Sequence, residues 1–259
     1  KFAKTSTWQA VALILEPSIY GTKMSIENIN LNILDRCCMG LKLSAPIRLN
    51  NCILLFKKNF RLRCFYIARN NPFLKLAPFK LEQLHMDPDI NMVHDAINDK
   101  EIRHFVSQAR TTVIVINPSY SDIMVRVSKR MADLSGLDLG SAEMLQVANY
   151  GIGGYYGPHF DYFTVIILIT LYPLLIWHLG NRYATILIYL SDVTSGGRTV
   201  FLELGLSITA KKGSAIFWRN LLPTGEGNNQ TVHAACPVLV GNKWGKNFFQ
   251  LFYRKKMFN

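Results

Sequence analysis

From about residue 140 onward, apolar residues come in short runs and alternations of strand length. "MLQVANY" (144–150), "YATILIYLS" (183–191), "RTVFL" (198–202), "GSAIFWR" (213–219) and "TVHAACPVLV" (231–240) are rich in β-branched and aromatic residues, and "TSGG", "AKKG" and "PTGEGNN" supply turns between them. Several short strands at such spacing predict a sandwich, barrel or jelly roll. Ahead of them the pattern is different. "INMVHDAI" (90–97) reads as a strand, Asp99 can cap a helix through "KEIRHFVSQA", and Ser119 or Ser121 can cap a longer helix through "DIMVRVSKRMADLSG" that ends at Gly136. The fold class that follows is α+β and β-rich, a jelly-roll core with flanking N-terminal helices.

Two stretches break the pattern. Residues 1–70 show no clean periodicity and read as an irregular N-terminal segment. "FTVIILITLYPLLIWHL", Phe163 to Leu179, is almost wholly apolar, but a membrane helix needs about 20 apolar residues. This run is shorter, contains Pro173 and is bounded by Asp161 and His178. It reads as a buried strand pair or as sequence foreign to the fold, and not as a membrane span.

Composition narrows the function classes. With 49% hydrophobic and 18% charged residues in 259, the chain is globular and bulk disorder is excluded. The net charge of +12 suggests nucleic acid until its distribution is read: Arg36 to Lys80 holds ten Lys or Arg and no acid, and "RKK" stands at 254–256. Neither run carries a nucleic-acid fold signature, so both read as solvated or irregular basic stretches. The five cysteines form no CxxC pair, which argues against a zinc ribbon. The start at Lys1, with a weak apolar run and no small-residue cleavage site, reads as other than a native N-terminus, and no compartment follows from it.

The candidate chemistry lies in "GIGGYYGPHFDYF" (151–163). Two residues separated by one on a strand face the same way, so His159 and Asp161 can present an imidazole and a carboxylate side by side. A third ligand would complete one triangular face of an octahedral metal and leave three positions open, the 2-His-1-carboxylate arrangement of non-haem Fe(II) oxygenases. Six histidines limit the choice. His85, His94 and His104 lie in the upstream region and His178 at the edge of the apolar run, whereas His233 sits in a late strand that a jelly roll can bring beside His159. Ten residues further, Lys243 can offer an ammonium to a dicarboxylate co-substrate.

Three segments carry a family resemblance: "PFLKLAPFKLEQLHMDPDINMVHDAINDKEI", "LQVANYGIGGYYGPHFDYF" and "GNRYATILIYLSDVTSGGRTVFLELGLSITAKKGSAIFWRNLLPTGEGNNQTVHAACPVLVGNKW". Over about residues 71–162 and 179–244 the chain closely resembles the catalytic region of the collagen prolyl 4-hydroxylase α subunits. The resemblance implies a double-stranded β-helix, a kind of jelly roll, with Fe(II) as cofactor, 2-oxoglutarate and O2 as co-substrates, and ascorbate to restore oxidised iron. It implies His159, Asp161 and His233 as iron ligands and Lys243 as partner of the distal carboxylate of 2-oxoglutarate. Tyr150 and Thr199 match positions that hydrogen-bond the co-substrate, and Tyr156 and Arg182 match positions lining the peptide groove. The implied reaction is 4-hydroxylation of proline in collagen-like peptides, coupled to decarboxylation of 2-oxoglutarate to succinate and CO2. The implied setting is the endoplasmic reticulum lumen, with protein disulfide isomerase as partner.

The domain division is then an N-terminal segment 1–70 and a dioxygenase domain 71–259, with atypical segments at about 163–178 and 245–259. After Trp244 the family continues with a second tryptophan and a charged strand, whereas this chain reads "GKNFFQLFYRKKMFN" with Phe249 in the tryptophan's place. The family's closing cysteine is absent too, so Cys236 is expected to be a free thiol. "CCMG" and "RLRCFY" match a family disulfide, implying a bond between Cys37 or Cys38 and Cys64. The two atypical segments, and a third at about 45–60, read as translated non-coding sequence or an unusual splice form. A different class of function is a catalytically impaired relative that keeps the groove as a proline-rich peptide-binding module.

Overall fold

The computed structural model describes residues 62–69, 72–109, 113–117, 119–138, 142–163 and 181–252. The basic run through residue 61, Cys37, Cys38, Cys52, His178 and the apolar run after Phe163 lie outside them. In chain order the elements are β1 (Cys64–Ile67), α1 (Pro72–Leu76), β2 (Phe79–Met86), β3 (Asp89–His94), α2 (Asp99–Gln108), β4 (Val113–Ile116), α3 (Asp122–Ser135), β5 (Leu145–Tyr150) and β6 (Tyr156–His159). They continue with β7 (Asn181–Tyr189), β8 (Ser195–Gly196), β9 (Thr199–Phe201), β10 (Leu206–Ile208), β11 (Ala215–Arg219), a 3-10 turn (Asn229–Thr231), β12 (His233–Ala235), β13 (Val238–Val240) and β14 (Lys243–Phe252).

The strands form an eight-stranded sheet in the order β1-β2-β3-β11-β7-β14-β5-β4, a four-stranded sheet β10-β9-β12-β6 and the pair β13-β8. Every pairing is antiparallel. This strand-rich pair of facing sheets is the jelly-roll core expected from the sequence. The large sheet is covered on both sides, which explains why its central strands read as continuous apolar runs. Ala215 and Phe217 of β11, with Ala184, Ile186 and Ile188 of β7, pack against Ile102 and Phe105 of α2 and Met124, Val127 and Met131 of α3. The alternate residues Ile216, Trp218 and Tyr189 turn the other way and meet Phe201, Ile208 and Val238.

The two longer helices, α2 and α3, are capped. The N-cap of α2 is Asn98, one residue before the Asp99 that the sequence suggested. Asn98 is extended, its side chain accepts from the Glu101 N–H at 3.0 Å, and the Glu101 carboxylate accepts from the Asn98 N–H at 2.9 Å. This reciprocal box satisfies two otherwise unpaired donors. Glu101 is also held by Arg130 of α3 through two hydrogen bonds of 2.8 and 2.9 Å, which lock the two helices together. Ser121 caps α3, and Gly136 ends it in the left-handed conformation, φ 71°.

Further expectations need correction. "TVHAACPVLV" is two strands in two sheets, because Pro237 has no N–H to continue the β12 ladder. Of the atypical segment after Trp244, the described residues 245–252 continue β14, paired with β5 as far as Asn247 and with β7 as far as Phe252. Cys236 is disulfide-bonded, not free, its partner lying outside the described residues. Cys64, on the exposed edge strand β1, is a free thiol, against the pairing implied for it. The helix anchor gives a direct check: Glu101→Ala, which removes both the cap and the Arg130 pair, should lower unfolding free energy in urea by about 3 kcal/mol, against about 1 kcal/mol for Asn98→Ala.

Candidate metal centre

Strands β6 and β12 are neighbours in the small sheet, and their register sets His233 directly opposite His159. His159 is the last residue of β6. Asp161 follows in a bend just past the strand rather than within it, as the alternation argument had placed it. The carboxylate still lies between both rings, with Oδ1 3.6 Å from His159 Nε2 and Oδ2 3.6 Å from His233 Nε2. Each imidazole donates through Nδ1 to a backbone carbonyl two residues back in its own chain, His159 to Gly157 at 2.8 Å and His233 to Thr231 at 3.0 Å. Both Nε2 lone pairs are therefore free to face the carboxylate. The three ligand atoms lie within 4.8 Å of one another.

The donor set fits a divalent metal of intermediate hardness: two neutral imidazole nitrogens and one carboxylate on a single face. Burial pushes the His233 pKa below its ordinary value, although Asp161 opposes it. Burial alone would raise the Asp161 pKa. His233, His159 and Thr185 outweigh it and hold the carboxyl below its usual range. Aromatic rings fix the cluster. Trp218 meets His233 edge-on at 5.0 Å between ring centroids, Phe201 stands 5.5 Å away, and Tyr156 lies over His159 at 4.0 Å. Asp161 and His233 are buried, whereas His159 keeps a partly open side.

Lys243, the first residue of β14, is almost wholly enclosed, with 2% of its surface exposed. Its Nζ donates to Thr199 Oγ1 at 3.2 Å, and Thr199 Oγ1 also accepts from the Tyr189 hydroxyl at 2.8 Å. Tyr150 pairs with Lys243 across β5 and β14. Among the described residues no carboxylate neutralises this ammonium, and burial pushes its pKa down to about 7. An enclosed cation without a counter-ion, flanked by hydroxyls, is a place for an anionic group.

Comparison with known proteins points the same way. Residues 145–251 match the family described as the 2OG-Fe(II) oxygenase superfamily, a span that contains the three candidate ligands and Lys243. They are a 2OG-Fe(II) oxygenase domain. Such a domain works with Fe(II), 2-oxoglutarate and O2, which fits both the donor set and the buried ammonium. The chain is 43% identical over 215 residues to prolyl 4-hydroxylase subunit alpha-1 of Mus musculus, covering 74% of this chain and 40% of that one. It is 39% identical over 209 residues to prolyl 4-hydroxylase subunit alpha-3 of Homo sapiens, covering 72% and 38%. The chain thus spans about two fifths of the length of these relatives. In fold it resembles the viral collagen prolyl hydroxylase of Paramecium bursaria Chlorella virus-1 in its 2OG complex, with a TM-score of 0.53 at 23% identity, over 63% of this chain and 96% of that one.

Within the oxygenase domain, the remaining candidates are placed less uniformly. Tyr150 and Thr199 flank Lys243. Tyr156 is half exposed above His159. Arg182 is bound by Glu143 through hydrogen bonds of 2.6 and 2.8 Å, lies over the Phe163 ring, and donates to the Asp161 carbonyl at 3.4 Å. Several supporting residues escaped the sequence reading: Thr185, which donates to Asp161 Oδ2 at 2.7 Å, Asn220 behind it, Tyr189, Trp218 and Glu143. None carries a local motif, and only the folded chain brings them to the site.

The depressed Lys243 pKa has a measurable sign. In the unfolded chain the amine titrates near 10.4, so between about pH 7 and that value the unfolded state binds more protons, and stability without co-substrate rises with pH. Between pH 7.5 and 8.5 the unfolding free energy of the native chain should gain about 1.2 kcal/mol relative to Lys243→Met. Parallel urea titrations at the two pH values measure it, and a difference that does not move with pH contradicts the assignment.

Proposed function

We propose that this chain is the catalytic region of a procollagen-proline 4-dioxygenase. In this reading His159, Asp161 and His233 hold Fe(II), Lys243 receives the distal carboxylate of 2-oxoglutarate with Thr199 and Tyr150 beside it, and Tyr156 and Arg182 line the peptide groove. The observation that carries it is the joint presence of the His159–Asp161–His233 cluster and the uncompensated Lys243 in a chain 43% identical to a prolyl 4-hydroxylase α subunit. The chemistry supplied at the loaded centre is oxidation of 2-oxoglutarate to succinate and CO2, coupled to insertion of one oxygen atom at C4 of a peptidyl proline.

The protein's own part is positional. The Nδ1 hydrogen bonds of His159 and His233 fix both rings, so that their Nε2 atoms and the Asp161 carboxylate would hold the metal. Lys243, with Thr199 beside it, would hold the distal carboxylate of 2-oxoglutarate. Trp218, Phe201 and Tyr189 exclude water from the inner wall. The partly open side at His159, beside the half-exposed Tyr156, is where an extended proline-rich segment would have access. Ascorbate as reductant, the endoplasmic reticulum lumen as compartment and protein disulfide isomerase as partner belong to the same proposal and rest on the family resemblance. No helix of the described residues is long and apolar enough to cross a membrane.

The test combines Fe(II), labelled 2-oxoglutarate, ascorbate and a collagen-like proline-rich peptide, with CO2 release and hydroxyproline as readouts. Peptide-dependent formation of both is expected, and His233→Ala should reduce it by at least about a thousandfold by removing a ligand of the reacting metal. Peptide binding without turnover in the native chain would instead favour the peptide-binding module.

A further inference from the structure

Behind the candidate ligands lies a hydrogen-bonded path that no motif announces. Thr185 of β7 and Asn220, just past the end of β11, are both buried, with 1% and 0% of their surfaces exposed. Thr185 Oγ1 stands 2.7 Å from Asp161 Oδ2 and 2.8 Å from Asn220 Nδ2. A carboxylate only accepts, and a hydroxyl has one proton to give. Because the Asn220 amide donates to Thr185, that proton is committed to Asp161 Oδ2, and Oδ1 is the carboxylate oxygen left without a hydroxyl partner.

Asn220 is itself fixed from both sides. Its N–H donates to the Tyr183 carbonyl at 2.7 Å, and its carbonyl accepts from the Asn228 N–H at 2.8 Å. Asn228 in turn accepts from Thr231 through its carbonyl, at 2.7 Å from the hydroxyl and 3.0 Å from the N–H, and the Thr231 carbonyl accepts from His233 Nδ1. The path therefore runs from Asp161 through Thr185, Asn220, Asn228 and Thr231 to His233. The Asn220 Oδ1 atom remains buried without a partner, a cost that goes unexplained if the residue serves packing alone.

We infer that Thr185 and Asn220 are positioning residues that hold Asp161 as a one-oxygen ligand, through Oδ1, and tie its orientation to that of His233. The inference rests on the reading of His159, Asp161 and His233 as metal ligands. Loss of the hydroxyl frees the carboxylate to rotate between the two rings, and metal affinity falls before any substrate is involved.

The experiment is Mn(II) binding to the purified chain without 2-oxoglutarate or peptide, followed by the loss of the free-ion electron paramagnetic resonance signal. Thr185→Val, which keeps shape and removes the hydroxyl, should weaken Mn(II) binding by about tenfold to a hundredfold. Thr185→Ser should bind within about threefold of the native chain, and Asn220→Ala should fall between the two. If Thr185→Val does not fold, Thr185→Ala measured against Thr185→Ser carries the same comparison. A folded Thr185→Val that binds Mn(II) as tightly as the native chain overturns the inference while leaving the metal centre standing. A native chain that binds no Mn(II) overturns both. Loss of Mn(II) affinity in Thr185→Val supports the inference even if the native chain hydroxylates no proline.

Discussion

The site depends on one strand register. His233 in β12 lies directly opposite His159 in β6, and β12 is held on its other edge by β9, where Phe201 pairs with the same His233. Side chains alternate along a strand, so a slip of one residue would turn an imidazole to the opposite face and dissolve the cluster. The register is secured by burial on both sides. Val200 and Ala234 pack on one face of the small sheet, while Phe201 and His233 meet Trp218 of the large sheet on the other. A metal centre follows from this arrangement only because the turn after β6 also returns Asp161 to the same spot.

Part of the cost that the fold carries lies at this centre. Lys243 has no acidic partner among the described residues, and Asn220 Oδ1 and Trp218 Nε1 are buried without hydrogen bonds. Buried charge and unpaired polar atoms each cost stability in an otherwise well-packed interior. The uncompensated Lys243, whose charge acts on the candidate ligand His233, fits a site that trades stability for chemistry. Away from it Asn91, His94, Ser128 and Asn149 also keep an unpartnered buried atom, whereas the Asn98–Glu101–Arg130 cluster that joins α2 and α3 is matched.

Much of this was legible in the sequence, for physical reasons. The apolar runs of β7 and β11 announced strands, and Ser121 and Gly136 bounded α3 by capping chemistry that is local in the chain. His159, Asp161, His233 and Lys243 could be picked out because imidazole, carboxylate and ammonium are few and their roles require them. What stayed hidden is set by tertiary contacts. Thr185 looks like any strand threonine until β7 carries it to Asp161, and the partner of Arg182 is Glu143, 39 residues away. The break at Pro237 was visible but overridden by the apolar run around it. The disulfide of Cys236 could not be inferred from a family pattern whose closing cysteine this chain lacks.

The central claim is that one metal and one 2-oxoglutarate meet at the end of the jelly roll. It is tested most directly by anaerobic titration of the chain with Fe(II) and then 2-oxoglutarate, following the visible charge-transfer absorption of a chelated 2-oxo acid. One equivalent of each should saturate the band, with Asp161→Ala abolishing it and Lys243→Met demanding far more 2-oxoglutarate. A band absent from the native chain, or unchanged in Asp161→Ala, would contradict the account.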